Sequence, residues 1–178
     1  YEPFPITKDN EERLKHYTRL EDVAAQHMQD LGYSIESGGY CPKCKRYGIH
    51  VEIDTPLFLL VGHLDRRVVL NGNKLPVEIK SLGKASWAKF SSRKFEAFPG
   101  YAGQECCYLE AERSPGVYWI MERDSGEVQK YIVNDTDHNV DLPGFEKITL
   151  PITFGEILDK LNQVEVSVSD GSLPEGVE

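Results

Sequence analysis

The sequence predicts a single α/β domain with a central mixed β-sheet flanked by helices. Two hairpin signals, Asn71-Gly72-Asn73 and Asp124-Ser125-Gly126-Glu127, each join runs of strand-like composition. Helical periodicity occurs before, between and after those hairpins. A length of 178 residues and a mass of 20.2 kDa suit one domain. Its core covers about residues 18–163, and an acidic tail covers about residues 164–178.

The first helix is expected over residues 18–31. Leu20, Val23, Ala24, His27, Met28 and Leu31 recur at helical spacing, Thr18 and Glu21 read as a capping box, and Gly32 can end the helix. The loop Ser37-Gly38-Gly39-Tyr40 leads into Cys41-Pro42-Lys43-Cys44. Strands follow at 49–53, 58–70 and 75–81. Residues 83–99 are basic and aromatic, with Trp87, Phe90, Phe95 and Phe98. A helix is expected at 101–112 and hairpin strands at 117–123 and 128–133. Residues 134–151 read as irregular. A last helix at 153–163 opens on the capping pair Thr153 and Glu156, and an exposed or frayed tail follows.

With 40% hydrophobic and 28% charged residues the composition is that of an ordinary globular protein. No run approaches the ~18 apolar residues of a membrane span. The opening Tyr1-Glu2-Pro3-Phe4-Pro5 has neither a basic n-region nor an apolar h-region, so a cytoplasmic location is expected. The net charge is −9, but its distribution is uneven. Five basic residues (Lys80, Lys84, Lys89, Arg93, Lys94) and no acid lie between Ile79 and Phe95. An acidic body therefore carries one basic segment.

The hairpin at Asn71-Gly72 carries the chemistry. A two-residue loop there pairs residues whose numbers sum to 143, so Leu70 faces Asn73, Asp65 faces Glu78 and His63 faces Lys80. Moving the loop to Gly72-Asn73 pairs Asp65 with Lys80 and keeps the same four residues on one face. The flanks Phe58-Leu59-Leu60-Val61, Val77 and Ile79 are apolar, which makes the site half-buried. Two carboxylates that close together repel unless a cation lies between them. Mg²⁺ or Mn²⁺ suits one or two carboxylates, water and a substrate phosphate, with Lys80 as a point charge beside it.

Asp65, followed thirteen positions later by Glu78-Ile79-Lys80, resembles the motif of the PD-(D/E)XK nuclease superfamily, with Leu64 in place of its proline. Gln104-Glu105-Cys106-Cys107-Tyr108 is similar to the Gln-x-x-x-Tyr motif of the RecB-like and lambda-exonuclease-like branch. Leu20-Glu21 with Leu31-Gly32-Tyr33 looks like that branch's first helix, and the closing hairpin looks like its phage members. The resemblance covers roughly residues 19–133. It implies a restriction-endonuclease-like core and a Mg²⁺- or Mn²⁺-dependent deoxyribonuclease acting in phage or prokaryotic recombination or repair, in the host cytoplasm if phage-encoded.

The same resemblance implies metal binding by Asp65, Glu78, the main-chain carbonyl of Ile79, and Glu21. Lys80 would position the water, and Gln104 and Tyr108 would border the site. For Glu21 the alternative is a helix cap alone. Exonuclease action is the expected mode, with an endonuclease or a non-catalytic nucleic-acid-binding module as rivals. The expected partner is DNA, held by the basic segment and its surroundings: His63, Ser81, Lys84, Trp87, Lys89, Arg93 and Lys94.

Cys41-Pro42-Lys43-Cys44 is half of a zinc knuckle. Its second half would have to come from His50, His63, Cys106 or Cys107, none of which stands in a recognisable spacing. The sequence therefore favours plain structural cysteines over zinc, and core packing over a metal role for His27.

Overall fold

The structure, a computed structural model, describes residues 8–70, 72–137 and 140–170. The opening residues 1–5, the loop residue Asn71 and the end of the acidic tail (171–178) lie outside the described residues. Among the described residues no helix is long and apolar enough to cross a membrane.

The chain is α/β, with a mixed six-stranded sheet flanked by helices. Helix α1 (Lys8–Asp30) is followed by β1 (Ser34–Ser37), β2 (Gly39–Cys41), β3 (Arg46–Asp54), β4 (Leu59–Leu64), β5 (Arg66–Leu70) and β6 (Asn73–Leu82). Helix α2 (Lys84–Arg93), a 3-10 turn (Lys94–Ala97) and helix α3 (Pro99–Glu112) come next. Strands β7 (Gly116–Glu122), β8 (Val128–Val133) and β9 (Glu146–Ile148) and helix α4 (Phe154–Asp170) complete the fold. The large sheet runs β1-β5-β6-β7-β8-β9, and β2-β3-β4 form a separate three-stranded sheet.

Strand β7 lies in the middle of the large sheet and is buried along its whole length. That explains its unbroken apolar run Val117–Met121, since helices cover both faces. Val117, Trp119, Val77 and Ile79 pack with Ala24 and Met28 on the α1 side. Tyr118, Ile120 and Leu82 pack with Trp87, Phe90, Phe95 and Leu109 on the other.

The hairpin between β5 and β6 has the expected register, Leu70 opposite Asn73 through Arg66 opposite Val77. The second hairpin forms as expected, with β7 and β8 antiparallel. The capping pair before α4 also forms: Thr153 N–H and Oγ1–H donate to Glu156 Oε2 at 2.7 and 2.8 Å. Helix α4 continues to Asp170, so the chain from Val164 to Asp170 is exposed at most positions, as expected, but helical and not frayed.

Three expectations are corrected. Helix α1 begins by Lys8, which puts Thr18 inside it and not at a cap. Its buried face is also rotated from the expected stripe. Ala24, Ala25 and Met28 are buried, whereas Val23 and Leu31 are about half exposed. The inward stripe is therefore Glu21, Ala24, Ala25, Met28, and Tyr33 N–H bonding back to Met28 O at 3.1 Å closes the helix past Gly32 (φ +91°).

The run 58–70 is two strands, not one. The chain bends at Asp65 and changes sheets there. The β5–β6 ladder stops at Arg66–Val77, so Asp65 and His63 have no ladder partners on β6. His63 instead pairs with His50 across β3–β4.

Candidate active site and a cysteine–histidine cluster

Because β5 stops opposite Val77, the edge of β6 is open from Glu78 onward. Asp65 fills the first position: its Oδ2 accepts Ile79 N–H at 2.8 Å. The bend is also pinned from α1. Arg66 donates to the Asp65 carbonyl at 2.7 Å and to Asp22 Oδ1 at 2.6 Å. The ladder contact expected between Asp65 and Glu78 is thus replaced by a side chain reaching over the sheet edge.

Glu78 and Lys80 alternate with the core residues Val77 and Ile79 and so share the face toward α3. Glu78 is 3% exposed. Its Oε1 accepts a hydrogen bond from Lys80 Nζ, while its Oε2 is buried with no partner among the described residues. Lys80 Nζ also donates to Gln104 Oε1 at 3.1 Å, and Gln104 Nε2 donates to Tyr108 Oη at 3.0 Å. Tyr108 donates in turn to the His63 carbonyl at 2.9 Å. Gln104 and Tyr108 lie one turn apart on α3, so a single helix face supplies both.

The charges frustrate one another. Burial, then the neighbouring Asp65, raises Glu78 to about 8. Burial, then Asp65, raises Glu21 to about 7. Burial likewise raises Asp65, against the Ile79 N–H that stabilises its carboxylate. Burial opposes the Lys80 ammonium, but Glu78 and Asp65 outweigh it and raise Lys80. Both members of the Glu78–Lys80 pair therefore move upward. We read this as a charged Lys80 facing acids that retain protons, because burial and Asp65 act on Glu78 in the same sense. Three carboxyls around one ammonium favour a further cation.

A fourth acid was not anticipated. Glu105 is 1% exposed and both its oxygens lack partners among the described residues. Burial first, and Glu78 second, hold it well above the ordinary carboxyl range. Its signal in the sequence was position: Ala102, Glu105, Cys106 and Leu109 are the buried stripe of α3, and an acid there is out of place.

The basic segment divides. Lys84, Lys89 and Arg93 are exposed on α2. Ser81 is half-buried beside the site, with Oγ lacking a partner among the described residues. Trp87 does not offer a stacking surface: it is 8% exposed and belongs to the core with the fully buried Phe90. Lys94 is turned inward to Tyr131 Oη and lies 3.9 Å from Glu146. His27 rests edge-on against Trp119, with ring centroids 5.3 Å apart, but remains exposed.

Two of the four cysteines are grouped with histidines. Cys41, Cys44, His50 and His63 offer ligand atoms that all lie within 4.8 Å of one another, close enough to hold one metal ion. His50 and His63 face each other across β3–β4, and the turn after β2 carries both sulfurs to the same place. His63 therefore belongs to this cluster and not opposite Lys80. Cys106 and Cys107 lie elsewhere, on α3.

No family model matches the sequence, and neither a curated protein nor a solved structure matches it.

Proposed function

We propose that this chain is a Mg²⁺- or Mn²⁺-dependent deoxyribonuclease of the PD-(D/E)XK type, acting as an exonuclease on DNA ends. The observation that carries this reading is the convergence of Asp65, Glu78 and Lys80 at an open sheet edge, with more carboxyl groups than cations and an unpartnered Glu78 oxygen. That donor set fits a hard divalent cation, which takes carboxylate, carbonyl and water oxygens.

Asp65 and Glu78 would hold the ion. Ile79 donates its N–H to Asp65, and in an extended strand the carbonyl of the same residue leaves on the same edge, so it is available as a further oxygen. Glu21 would join from α1, whose buried stripe includes it. When bound, the ion lowers the pKa of a coordinated water and neutralises charge on the phosphate.

The remaining work falls to the chain. Lys80 is aimed by Glu78 on one side and Gln104 on the other, and its ammonium would stabilise charge on the scissile phosphate and orient the attacking water. Gln104 and Tyr108 are positioning residues: they hold Lys80 and tie α3 to β4. Lys84, Lys89 and Arg93, exposed on the helix that follows β6, would offer positive charge to the phosphate backbone in a chain of net charge −9.

Linear and closed-circular DNA, incubated with Mg²⁺, Mn²⁺ or EDTA and resolved on gels, test the reading. Loss of linear DNA alone, abolished by EDTA, is the expected result. Nicking of circles would show an endonuclease. Lys80→Ala and Asp65→Ala are each expected to cut the rate by about 10²–10³-fold or more while leaving the fold intact. Cleavage at the parent's rate by both variants would overturn the mechanism.

A further inference from the structure

The geometry points to a structural zinc site at Cys41, Cys44, His50 and His63 that clamps the three-stranded sheet and thereby holds the bend at Asp65. The site does not rest on the nuclease reading, because its occupancy is read without substrate.

The ligand set is built by local structure. Lys45 N–H closes a tight turn onto the Cys41 carbonyl at 2.8 Å, with Lys45 at φ +56°. This turn brings both sulfurs to one side of β3. Cys44 Sγ lies 3.2 Å and Cys41 Sγ 3.8 Å from His50 Nδ1. Tetrahedral zinc with Zn–S and Zn–N bonds of about 2.3 and 2.0 Å separates its ligand atoms by roughly 3.3–3.8 Å. These two spacings nearly match that, and the widest separation, within 4.8 Å, needs to close by only about 1 Å. Two thiolates with two imidazoles at tetrahedral spacing select zinc over the hard cation suited to Asp65 and Glu78.

Two further observations point to an ion. His63 Nε2 is buried with no hydrogen-bond partner among the described residues, a costly state for a ring nitrogen unless a metal takes its lone pair. His50, with Nδ1 turned to the sulfurs, places Nε2 at 2.7 Å from Glu52 Oε1. A carboxylate on the second nitrogen is the usual orienting partner of a metal-bound histidine. Lys43, inside the turn, holds the same Glu52 oxygen at 2.6 Å, so the knuckle and the histidine share one anchor.

The clamp reaches the candidate active site through β4. His63 is two residues before Asp65. Its carbonyl accepts the Tyr108 hydroxyl, which is linked through Gln104 to Lys80. The two strands are also tightly apposed: a side chain at Gly48 (φ +122°) would meet the Leu64 carbonyl at 2.9 Å and His63 Cβ at 3.0 Å. Apart from the small cluster of Ile49, Val51, Leu64 and Tyr108, the three-stranded sheet has little core of its own, so a metal adds a cross-link to the β3–β4 ladder and the Tyr108 contact that fix β4.

Elemental analysis of the purified protein tests the site. The parent, Lys80→Ala and Asp65→Ala are each expected to hold about one zinc per chain, and Cys44→Ser and His50→Ala well under half. Should the cluster variants fail to fold, the parent decides alone. Replacing its zinc with Co²⁺ should give the visible absorption of a tetrahedral cobalt–thiolate centre at one equivalent. Zinc removal should lower hydrogen-exchange protection across β2–β4 and the Asp65 bend while sparing β7 and β8. Three results would overturn the proposal: a Cys41–Cys44 disulfide, a parent that takes up neither Zn²⁺ nor Co²⁺, or unchanged protection around Asp65 on zinc loss.

Discussion

Glu78 is the residue on which the electrostatics of the candidate active site turn. Its folded pKa of about 8 lies above its ordinary 4.5. A carboxyl raised in this way keeps its proton after the unfolded chain has lost its own. The stability it contributes is fully present below pH 4.5 and is lost as pH rises toward 8. Glu78→Gln does not titrate. Metal-free urea melts should therefore show the variant gaining on the parent by a few kcal/mol between pH 5 and pH 8. Added Mn²⁺ should narrow that gap, because a bound cation replaces the protons. An unchanged difference between the two pH values would contradict the assignment. By the same logic Mn²⁺ affinity should rise across about pH 7–8, with protons released from Glu21 and Glu78 on binding. At this scale much of the site was legible in advance. Asp65, Glu78, Lys80, Gln104 and Tyr108 do converge, and Glu21 reaches them because the buried stripe of α1 is rotated toward it. Glu105 was passed over because it sits beside Gln104 in a motif read for its other members.

Helix α2 shows how one segment can be read correctly in charge and wrongly in packing. Its spacing puts Trp87 and Phe90 on the core side and leaves Lys84, Lys89 and Arg93 outside. Replacing those three basic residues with alanine should weaken binding to duplex DNA in Ca²⁺ without altering the melt. It should also reduce the slope of log K against log salt by about 2–3. Trp87→Ala should act instead on stability, costing about 3–5 kcal/mol as a core truncation. A triple variant with the parent's salt slope would exclude α2 from the DNA contact. The strands teach a related lesson. The Asn71-Gly72 register could be read because the turn residues specify it. The break at Asp65 could not, because β-prone residues on both sides of Asp65-Arg66-Arg67 read as one strand and only tertiary pairing decides where one sheet ends. The same gap hid the cysteine–histidine cluster: His50 meets His63 only once the turn after Asp54 is recognised, and Thr55-Pro56-Leu57-Phe58, closed by Thr55 N–H to Phe58 O at 2.9 Å, was its signal.

Across the whole molecule, two sheets meet at Asp65. The large one buries both faces of β7 and supplies the rigid frame, and the small one is smaller than a stable core requires. The chain passes between them at Gly38 and again at Asp65, and the second crossing puts a carboxylate over an edge that would otherwise present unpaired backbone groups. The charge is unevenly spread, with a net −9 overall and three exposed cations, Lys84, Lys89 and Arg93, on α2. The α/β class, the mixed sheet and most helices follow from patterning, whereas β1, β2 and β9 are only three or four residues long and carry no period of their own. The most direct test is crystallographic, with Mn²⁺ located by its anomalous signal in the zinc-loaded protein. The expected result is a manganese peak bounded by the Asp65 and Glu78 carboxylates and the Ile79 carbonyl, with Lys80 beside it. A manganese peak away from those groups, or none in a protein that cleaves DNA with Mn²⁺, would contradict it.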